Sequence, residues 1–447
     1  MNMMNRLLNR QNLISFGLFA VFFHAAISLL QYFIDIQGIL IADYIILGLT
    51  SSAAILFFAK QQLPVRFQLA QVLLLLFIIW FIISCVSMSV KYNNDWVTYN
   101  SFSIMSTAVS LLLAFPLGYV LIREGGNKTG TVLLHILLLA WTVFIIFVLA
   151  SVFQGKTIPT PNGGTISMKK SLRLNCNRNT TGSWELMFFL GCVCMMLRCK
   201  QLPLRIVYGI SSAAHYVALT LSNSRTSILA TTAGFIALVG IAVYLRLEKN
   251  GKPRRLLLSV IAALAAGAVF YFLSGLIIQL YNSSTSSSVA NRVGITGDTT
   301  LHGRTTIWKH SIAGIFSSFR AAMFGVTPAS TIEMITQMSG GKIHNMYTHN
   351  QFLEIAAGIG IPGLCLFLAW FFIMLKDMYK LLFVQKDRTF FLLIPVLILS
   401  LMLMNMAEAL LVFMYHISGF AFFLLCGILH GRVNKPAEAG RLFRPGT

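Results

Sequence analysis

Apolar residues occur along the chain in continuous runs of about 20 residues, separated by polar connections. A helix needs about 20 apolar residues to cross the ~30 Å hydrocarbon core of a membrane, so each run predicts one transmembrane helix. The first run is too long for a signal peptide and no small-residue cleavage site follows it, so it is expected to be a span. The twelve predicted helices are 13–34, 38–59, 67–90, 102–122, 130–153, 183–198, 203–222, 226–246, 255–280, 351–375, 389–406 and 411–430. The pattern predicts an all-α, polytopic integral membrane protein.

The distribution of basic residues predicts the orientation of these helices. An even number of spans puts both termini on one side, and the excess of Lys and Arg identifies that side as the cytoplasm. With the termini inside, 22 of the 34 Lys and Arg residues are cytoplasmic and 12 face outward, most of them in two long polar segments. The predicted division is 1–153 with helices 1–5, the outer loop 154–182, 183–280 with helices 6–9, the large outer loop 281–350, 351–430 with helices 10–12, and the cytoplasmic tail 431–447.

Composition excludes several classes of protein. Hydrophobic residues make up 57% of the chain and charged residues 11%, whereas a soluble domain has about 25% charged residues. The net charge of +21 is spread between apolar runs, which favours membrane lipid headgroups or phosphate as partners over nucleic acid. The seven cysteines lie mostly in apolar runs and do not form a disulfide framework, and no nucleotide-binding loop or soluble domain is present.

The large outer loop contains an amphipathic segment that begins at Arg304. Its apolar residues recur at spacings of three and four, which predicts a helix over 304–320 that lies on the membrane surface or caps a cavity. These apolar residues are Ile307, Trp308, Ile312, Ile315, Phe316 and Phe319. A lone Arg304 at this place is commonly a solvated charge or a headgroup anchor.

Arg225 lies in a very short connection between two apolar helices, within the sequence Ser222-Asn223-Ser224-Arg225-Thr226. A guanidinium held at the membrane boundary usually has a partner, and an outward-facing one is suited to binding an anion. The alternative is that this side chain simply extends to the interface.

His349 stands where the large outer loop enters the next predicted helix. Its ordinary pKa of about 6.5 suits proton transfer at neutral pH, and the small residues that follow let helices approach closely. His344 is a rival for this role. The five-residue spacing between the two histidines does not place them on one helix face, and no paired acids complete a metal site. A diphosphate bound here would therefore be neutralised by arginine.

Several segments together resemble the O-antigen ligase and polymerase superfamily of bacterial polytopic membrane proteins. The resemblance rests on His349-Asn350-Gln351-Phe352-Leu353 with Gly360 and Gly363, on Ser224-Arg225-Thr226, on Gly303-Arg304 with Trp308 and Phe324-Gly325-Val326, on the Asn-rich stretch 175–180, and on Glu408. The segments occur in the family's order between about residue 170 and residue 412. Two departures are Thr327, where a second glycine is common, and the competing pair His344-Asn345.

The resemblance implies transfer of a glycan from an undecaprenyl-diphosphate carrier to an acceptor hydroxyl, without a metal or another cofactor. It implies an active site on the outer face of the bacterial cytoplasmic membrane, and either a glycan or a lipid core as the acceptor. The implied catalytic residues are His349 as general base and Arg225 and Arg304 as diphosphate ligands. The further substrate-binding candidates are Arg173, Arg178, Asn350, His344, Glu408 and Trp308.

The sequence leaves three alternatives open. The residues do not separate a ligase from a polymerase, since the donor and the leaving group are the same. A transporter or flippase could use the same arginines to bind a lipid-linked or anionic solute, and helices broken at mid-membrane would favour it. A glycosyltransferase that depends on a carboxylate or a metal would need Asp298 or Glu408.

Overall fold

The computed structural model describes most of the chain from residue 65 onward. The described residues are 23, 26–27, 65–88, 94–123, 128–161, 163–168, 171–247, 251–285, 303–344, 346–384, 393–413 and 417–434. The predicted helices 13–34 and 38–59, Asp298, and nearly all of the predicted tail lie outside these residues, apart from three isolated positions in the first helix.

The described part of the chain is mostly helical, as a membrane protein of this composition requires. The long helices are α1 (Val65–Met88), α2 (Asn94–Val109), α3 (Phe115–Arg123), α4 (Lys128–Phe153), α5 (Arg178–Arg198), α6 (Leu202–Ser222), α7 (Arg225–Arg246), α8 (Lys252–Thr285), α12 (Gln351–Tyr379), α13 (Leu393–Asn405) and α14 (Ile417–Val433). A π-helical segment, Ser110–Ala114, joins α2 to α3. Among the described residues, seven helices are long and apolar enough to cross a membrane. The total of twelve spans stays a prediction.

The outer loop predicted at 154–182 contains a small antiparallel sheet, which corrects the all-α prediction at this point. Its strands are β1 (Ile158–Pro159), β2 (Thr165–Met168) and β3 (Leu172–Leu174), in the order β1-β2-β3. Ile166, Leu172 and Leu174 are buried in one core cluster with residues of α4 and α5. The strands are too short to give a clear alternating pattern, which is why the sequence did not predict them.

The helix predicted at 304–320 is divided in two, because Ser318 caps a new helix by accepting a hydrogen bond from the backbone N–H of Ala321. The large outer loop contains α9 (Arg304–Ile315), α10 (Phe319–Phe324) and α11 (Thr331–Met338). The predicted apolar face is also divided. Ile307 and Ile315 are buried against α11 and α12, whereas the side chains of Ile312, Phe316 and Phe319 are exposed.

Helix α12 is broken at Ile359 and Gly360, and the outer loop fills the break. Gly360 has a φ of +79°, and a β-carbon there would lie 2.1 Å from the carbonyl oxygen of Met323, so only glycine fits. The carbonyls of Ala357 and Gly358 accept hydrogen bonds from the N–H groups of Val326 and Thr327, at 2.7 and 2.9 Å. The Gly-Val segment therefore pairs with the glycines of α12, which explains why the sequence carries both.

Several helix ends meet at one end of the bundle. Helices α5, α7, α9 and α12 begin there, and α13 ends there. The predicted alternation of spans places all of these ends on the outer side. Each of them contributes a polar residue to the cluster described next.

Candidate functional site

The candidate site is organised around the carboxylate of Glu408, which is fully buried three residues beyond the end of α13. One carboxylate oxygen, Oε1, accepts hydrogen bonds from Nδ2 of Asn179 at 2.6 Å and from Nη2 of Arg304. The other oxygen, Oε2, accepts from the hydroxyl of Tyr347 at 2.9 Å and contacts Nδ1 of His349 at 3.2 Å. Glu408 thereby joins an arginine and a histidine that lie far from it in the sequence.

These four contacts fill the acceptor capacity of Glu408. A carboxylate has about four lone-pair positions, and each of its oxygens here has two donors. A carboxylate occupied in this way is not available to remove a proton from a substrate or to hold a metal ion. Its contacts are suited to orienting the surrounding side chains. A carboxylate that accepts a hydrogen bond from a metal-binding histidine orients that histidine in the same way.

Tyr347 contacts both the histidine and the carboxylate. Its ring centroid lies 4.0 Å from that of His349. Burial and the negative charge of Glu408 raise the pKa of the Tyr347 phenol above its ordinary value. The phenol therefore stays protonated and donates to Glu408 across the physiological pH range.

The backbone of His349 is held in an uncommon conformation. Its φ is +49°, in the left-handed region that few residues other than glycine adopt. The preceding residue, Thr348, donates from its N–H and its hydroxyl to Oε2 of Glu354, at 3.1 and 2.6 Å. The Thr348 carbonyl accepts from Nε1 of Trp308 at 3.0 Å. These contacts fix the turn, so the imidazole is placed before any substrate binds.

Asn350 fixes the start of α12 directly after His349. Its side-chain oxygen accepts from the N–H groups of Phe352 and Leu353, which is the usual role of an N-cap asparagine. Its amide nitrogen donates to the carbonyl of Met406 at 2.9 Å. Asn350 thus joins α12 to the segment that carries Glu408. Its predicted contact with substrate stays a prediction.

The short hairpin between α6 and α7 forms another wall of the site. Asn223 ends α6 with a φ of +53°. Ser224 donates its hydroxyl to Oδ1 of Asn179 at 3.1 Å, and Thr226 accepts from Nη1 of Arg304 at 3.0 Å. Arg225, the first residue of α7, lies half-buried between these two residues. The hairpin therefore brings a second guanidinium group to the same end of the bundle.

The other predicted site residues differ in their exposure to solvent. Arg178 is the first residue of α5, next to Asn179, and is half-buried. Arg173 is exposed on β3, and His344 is exposed in the loop before the site. The structure brings Arg304, His349 and Glu408 together, whereas the binding roles of Arg173, Arg178, His344 and Trp308 stay predictions. In the part of the chain that the structure describes, no group of three His, Cys, Asp or Glu residues could hold a metal ion.

Three residues of the site were not predicted from the sequence. Asn179 lies in the Asn-rich stretch 175–180, and Tyr347 lies two residues before His349. Glu354 accepts hydrogen bonds from Thr331 and Thr348. A signal was available for Glu354, because a carboxylate on the first turn of an apolar helix needs partners when it is buried.

Comparison with known protein families finds a match. Residues 210–368 fit the model of a protein family described as O-antigen ligase. The match confirms the resemblance to the O-antigen ligase and polymerase superfamily, and it supports glycan transfer in a membrane. It includes Arg225, Arg304 and His349, whereas Asn179 and Glu408 lie outside it. No curated protein matches the chain.

Proposed function

We propose that this protein transfers a glycan from an undecaprenyl-diphosphate carrier to an acceptor hydroxyl at the outer face of the bacterial cytoplasmic membrane. The acceptor is either a lipid-core sugar, as for a ligase, or a second carrier-linked glycan, as for a polymerase. The reaction uses no metal ion. The observation that carries the proposal is the contact of Arg304 and His349 with the two oxygens of one buried carboxylate, Glu408.

The general base in this proposal is Nε2 of His349. An ionised carboxylate only accepts hydrogen bonds, so Nδ1 carries the proton that faces Glu408 and Nε2 has a lone pair. The side chain of His349 is 15% exposed, which leaves it open to a bound acceptor. Glu408 also stabilises the imidazolium that forms when the base takes a proton, as the buried carboxylate does in a catalytic triad.

The reaction is a single displacement at the anomeric carbon of the first donor sugar. Nε2 removes the proton of the acceptor hydroxyl, and the oxygen forms a new bond to that carbon while the bond to the carrier phosphate breaks. The electron pair of the broken bond stays on the leaving undecaprenyl diphosphate. Arg304 and Arg225 stabilise its negative charge, as preorganised cations do in other phosphate-leaving reactions.

The electrostatics of this end of the bundle favours an anion. Helices α5, α7, α9 and α12 begin beside the cluster, and a helix start carries about half a positive charge. Three of these helices have arginine as their first residue, Arg178, Arg225 and Arg304, although a cation is unfavourable there. Arg304 has Glu408 as a counterion, and a bound diphosphate would add negative charge at these helix starts.

The break in α12 bears on the transporter alternative. A transporter commonly uses the free backbone groups of a broken helix to bind its solute. Here the carbonyls of Ala357 and Gly358 accept from the Gly-Val segment, and the carbonyl of Ile359 accepts from Nε1 of Trp80 at 2.9 Å. The break is therefore occupied by protein donors, which favours the enzyme.

Purified protein, undecaprenyl-diphosphate glycan and an acceptor test the proposal directly. We expect released undecaprenyl diphosphate and extended acceptor, in equal amounts and undiminished by a chelator. Supplying a lipid-core acceptor and a second carrier-linked glycan in separate reactions distinguishes a ligase from a polymerase. Movement of the intact donor across vesicles, with no product formed, would instead identify a transporter.

A further inference from the structure

The two faces of α9 differ in what they contact. One face, formed by Ile307, Ser311, Gly314 and Ile315, is buried. A β-carbon on Gly314 would lie 2.4 Å from the sulfur of Met334, so α9 lies very close to α11 on this side. The opposite face carries Lys309, Ile312 and Phe316 at spacings of three and four, and all three are exposed. This second face is apolar at one end and basic at the other.

The exposed apolar surface continues into α10. Phe319, its first residue, is 81% exposed, and Phe316 at the end of α9 is 65% exposed. An exposed cluster of large aromatic side chains is uncommon on a surface that faces water. Between 303 and 344 the chain carries Arg304, Lys309, Arg320 and Lys342 but only one acid, Glu333. The surface therefore combines aromatic residues with positive charge.

Contacts with α1 place this surface beside the lipid-facing side of a membrane span. Arg320 donates from Nη2 to the carbonyl of Ser87, in the last turn of α1. Phe324, at the other end of α10, stacks on Trp80 of α1 with ring centroids 5.4 Å apart. Next to Ser87, Val86 is 65% exposed on a helix that is long and apolar enough to cross a membrane. Phe319 thus adjoins the residue that contacts the end of a lipid-exposed helix.

We propose that Phe316 and Phe319 insert into the outer leaflet of the membrane, and that Lys309 and Arg320 bind the phosphate headgroups of anionic lipids there. Aromatic residues on one side and basic residues at the boundary are the combination by which an interfacial helix binds a bilayer. This inference uses the outward orientation given under Proposed function, but it does not depend on the transfer chemistry.

Binding of α9 to lipid would also set the position of Arg304 in the candidate site. Arg304 begins the same helix whose outer face carries Lys309 and Phe316. Insertion of the exposed face of α9 into the leaflet therefore fixes the depth of the Arg304 guanidinium relative to the lipid phosphates. A carrier diphosphate lies at that same level, because its lipid tail is in the hydrocarbon.

Photo-crosslinking tests the proposed contact of Phe316 and Phe319 with lipid, and it does not require enzymatic activity. Phe316 and Phe319 are replaced, one at a time, by p-benzoylphenylalanine, and the full-length protein is reconstituted in vesicles of phosphatidylcholine and phosphatidylglycerol in equal amounts. Phe372, 67% exposed on α12, is the lipid-facing control. Gln337, exposed on α11, is the water-facing control from the same loop.

We expect lipid adducts at Phe316 and Phe319 in yields close to that at Phe372, and almost none at Gln337. Phosphatidylglycerol should exceed phosphatidylcholine in the Phe316 and Phe319 adducts by about fivefold for each basic residue that contacts the headgroups. Lys309→Gln should reduce that excess and leave the excess at Phe372 unchanged.

Three results would overturn the inference. Crosslinking of Phe316 or Phe319 to a second copy of the chain would make this surface a contact between copies. Yields as low as that at Gln337 would place it in water. Adducts without any excess of phosphatidylglycerol would exclude the role of the basic residues. None of these results depends on glycan transfer, so they leave the proposed function to its own experiment.

Discussion

Glu408 and Glu185 are both fully buried carboxylates, and each contacts a histidine through Nδ1, at 3.2 Å for His349 and 2.7 Å for His215. The surroundings of the two histidines differ. His215 is fully buried, and its Nε2 contacts the hydroxyl of Thr142 at 3.1 Å, so both ring nitrogens have partners. His349 is partly exposed, and among the described residues only its Nδ1 has a partner.

The difference separates a structural pair from a candidate catalytic pair. The Glu185–His215 pair joins α5 to α6 and reaches α4 through Trp141 and Thr142. Such a pair is stabilised by complete hydrogen bonding within a low-dielectric interior. The Glu408–His349 pair lies at the end of the bundle, where the His349 side chain is 15% exposed. The two pairs both join a carboxylate to a histidine. They differ in how far the histidine is buried and in whether its Nε2 has a hydrogen-bond partner.

Loss of the candidate base should have the largest effect on activity. A base that removes a proton in the transition state contributes roughly 10²–10⁴-fold to the rate, so His349→Ala should lower kcat by that factor. Donor binding should change little, because the arginines remain. Single-turnover assays with saturating donor, together with donor-binding measurements, check both expectations.

His344→Ala is the matched control for that variant. His344 is exposed in the same loop, five residues earlier, and should keep most of the activity when removed. The reverse ranking would move the base to His344. Near-normal turnover in both variants would mean that the arginines alone drive departure of the diphosphate.

The arginines should have the next largest effect. Removing one preorganised charge that stabilises a developing anion costs roughly 10²–10³ in kcat, which we expect for Arg304→Ala and Arg225→Ala. The Lys variants keep the charge but lose the planar fork that matches a phosphate, so they should be impaired less than the Ala variants. Steady-state assays on folded protein measure this, and wild-type turnover in Arg225→Ala would remove Arg225 from the site.

Glu408→Gln should have a smaller effect on the rate. Glutamine keeps the size and one acceptor oxygen but removes the charge that orients Arg304 and His349. Loss of such an orienting carboxylate commonly costs roughly 10–100-fold. If Glu408 orients the base, the pH dependence of kcat should also shift, because the imidazolium loses its counterion. An unchanged pH profile would show that the carboxylate only supports the fold.

Glu185→Gln should leave kcat per folded molecule almost unchanged and lower stability instead. Removing one partner of a buried hydrogen bond leaves the other polar group, here Nδ1 of His215, without its acceptor carboxylate, which costs about 1–3 kcal/mol. Thermal unfolding in detergent, followed beside activity of the surviving fraction, measures the two effects separately. A large fall in kcat without a fall in the unfolding temperature would mean that the two pairs are functionally equivalent.

The sequence by itself determined the class of protein and most of the long helices. Apolar runs of the length of a bilayer require helices, because backbone groups in hydrocarbon must be paired within the segment. The polar boundaries of the apolar runs also identified Arg225 and His349 as site candidates, and the family resemblance added Arg304. The small sheet and the division of the helix at 304–320 were not predictable in this way, because both depend on contacts with neighbouring helices.

Only the tertiary structure showed the contacts of Glu408. The sequence made Glu408 a substrate-binding candidate through the family resemblance, which stays a prediction, but its four donors come from positions as far as 229 residues away. The same holds for the break in α12, where the Gly-Val segment supplies the donors that the helix lacks. The hydropathy of a segment predicts whether it lies in the membrane or in water. The hydrogen-bond partners between segments depend instead on which helix ends meet when the bundle packs.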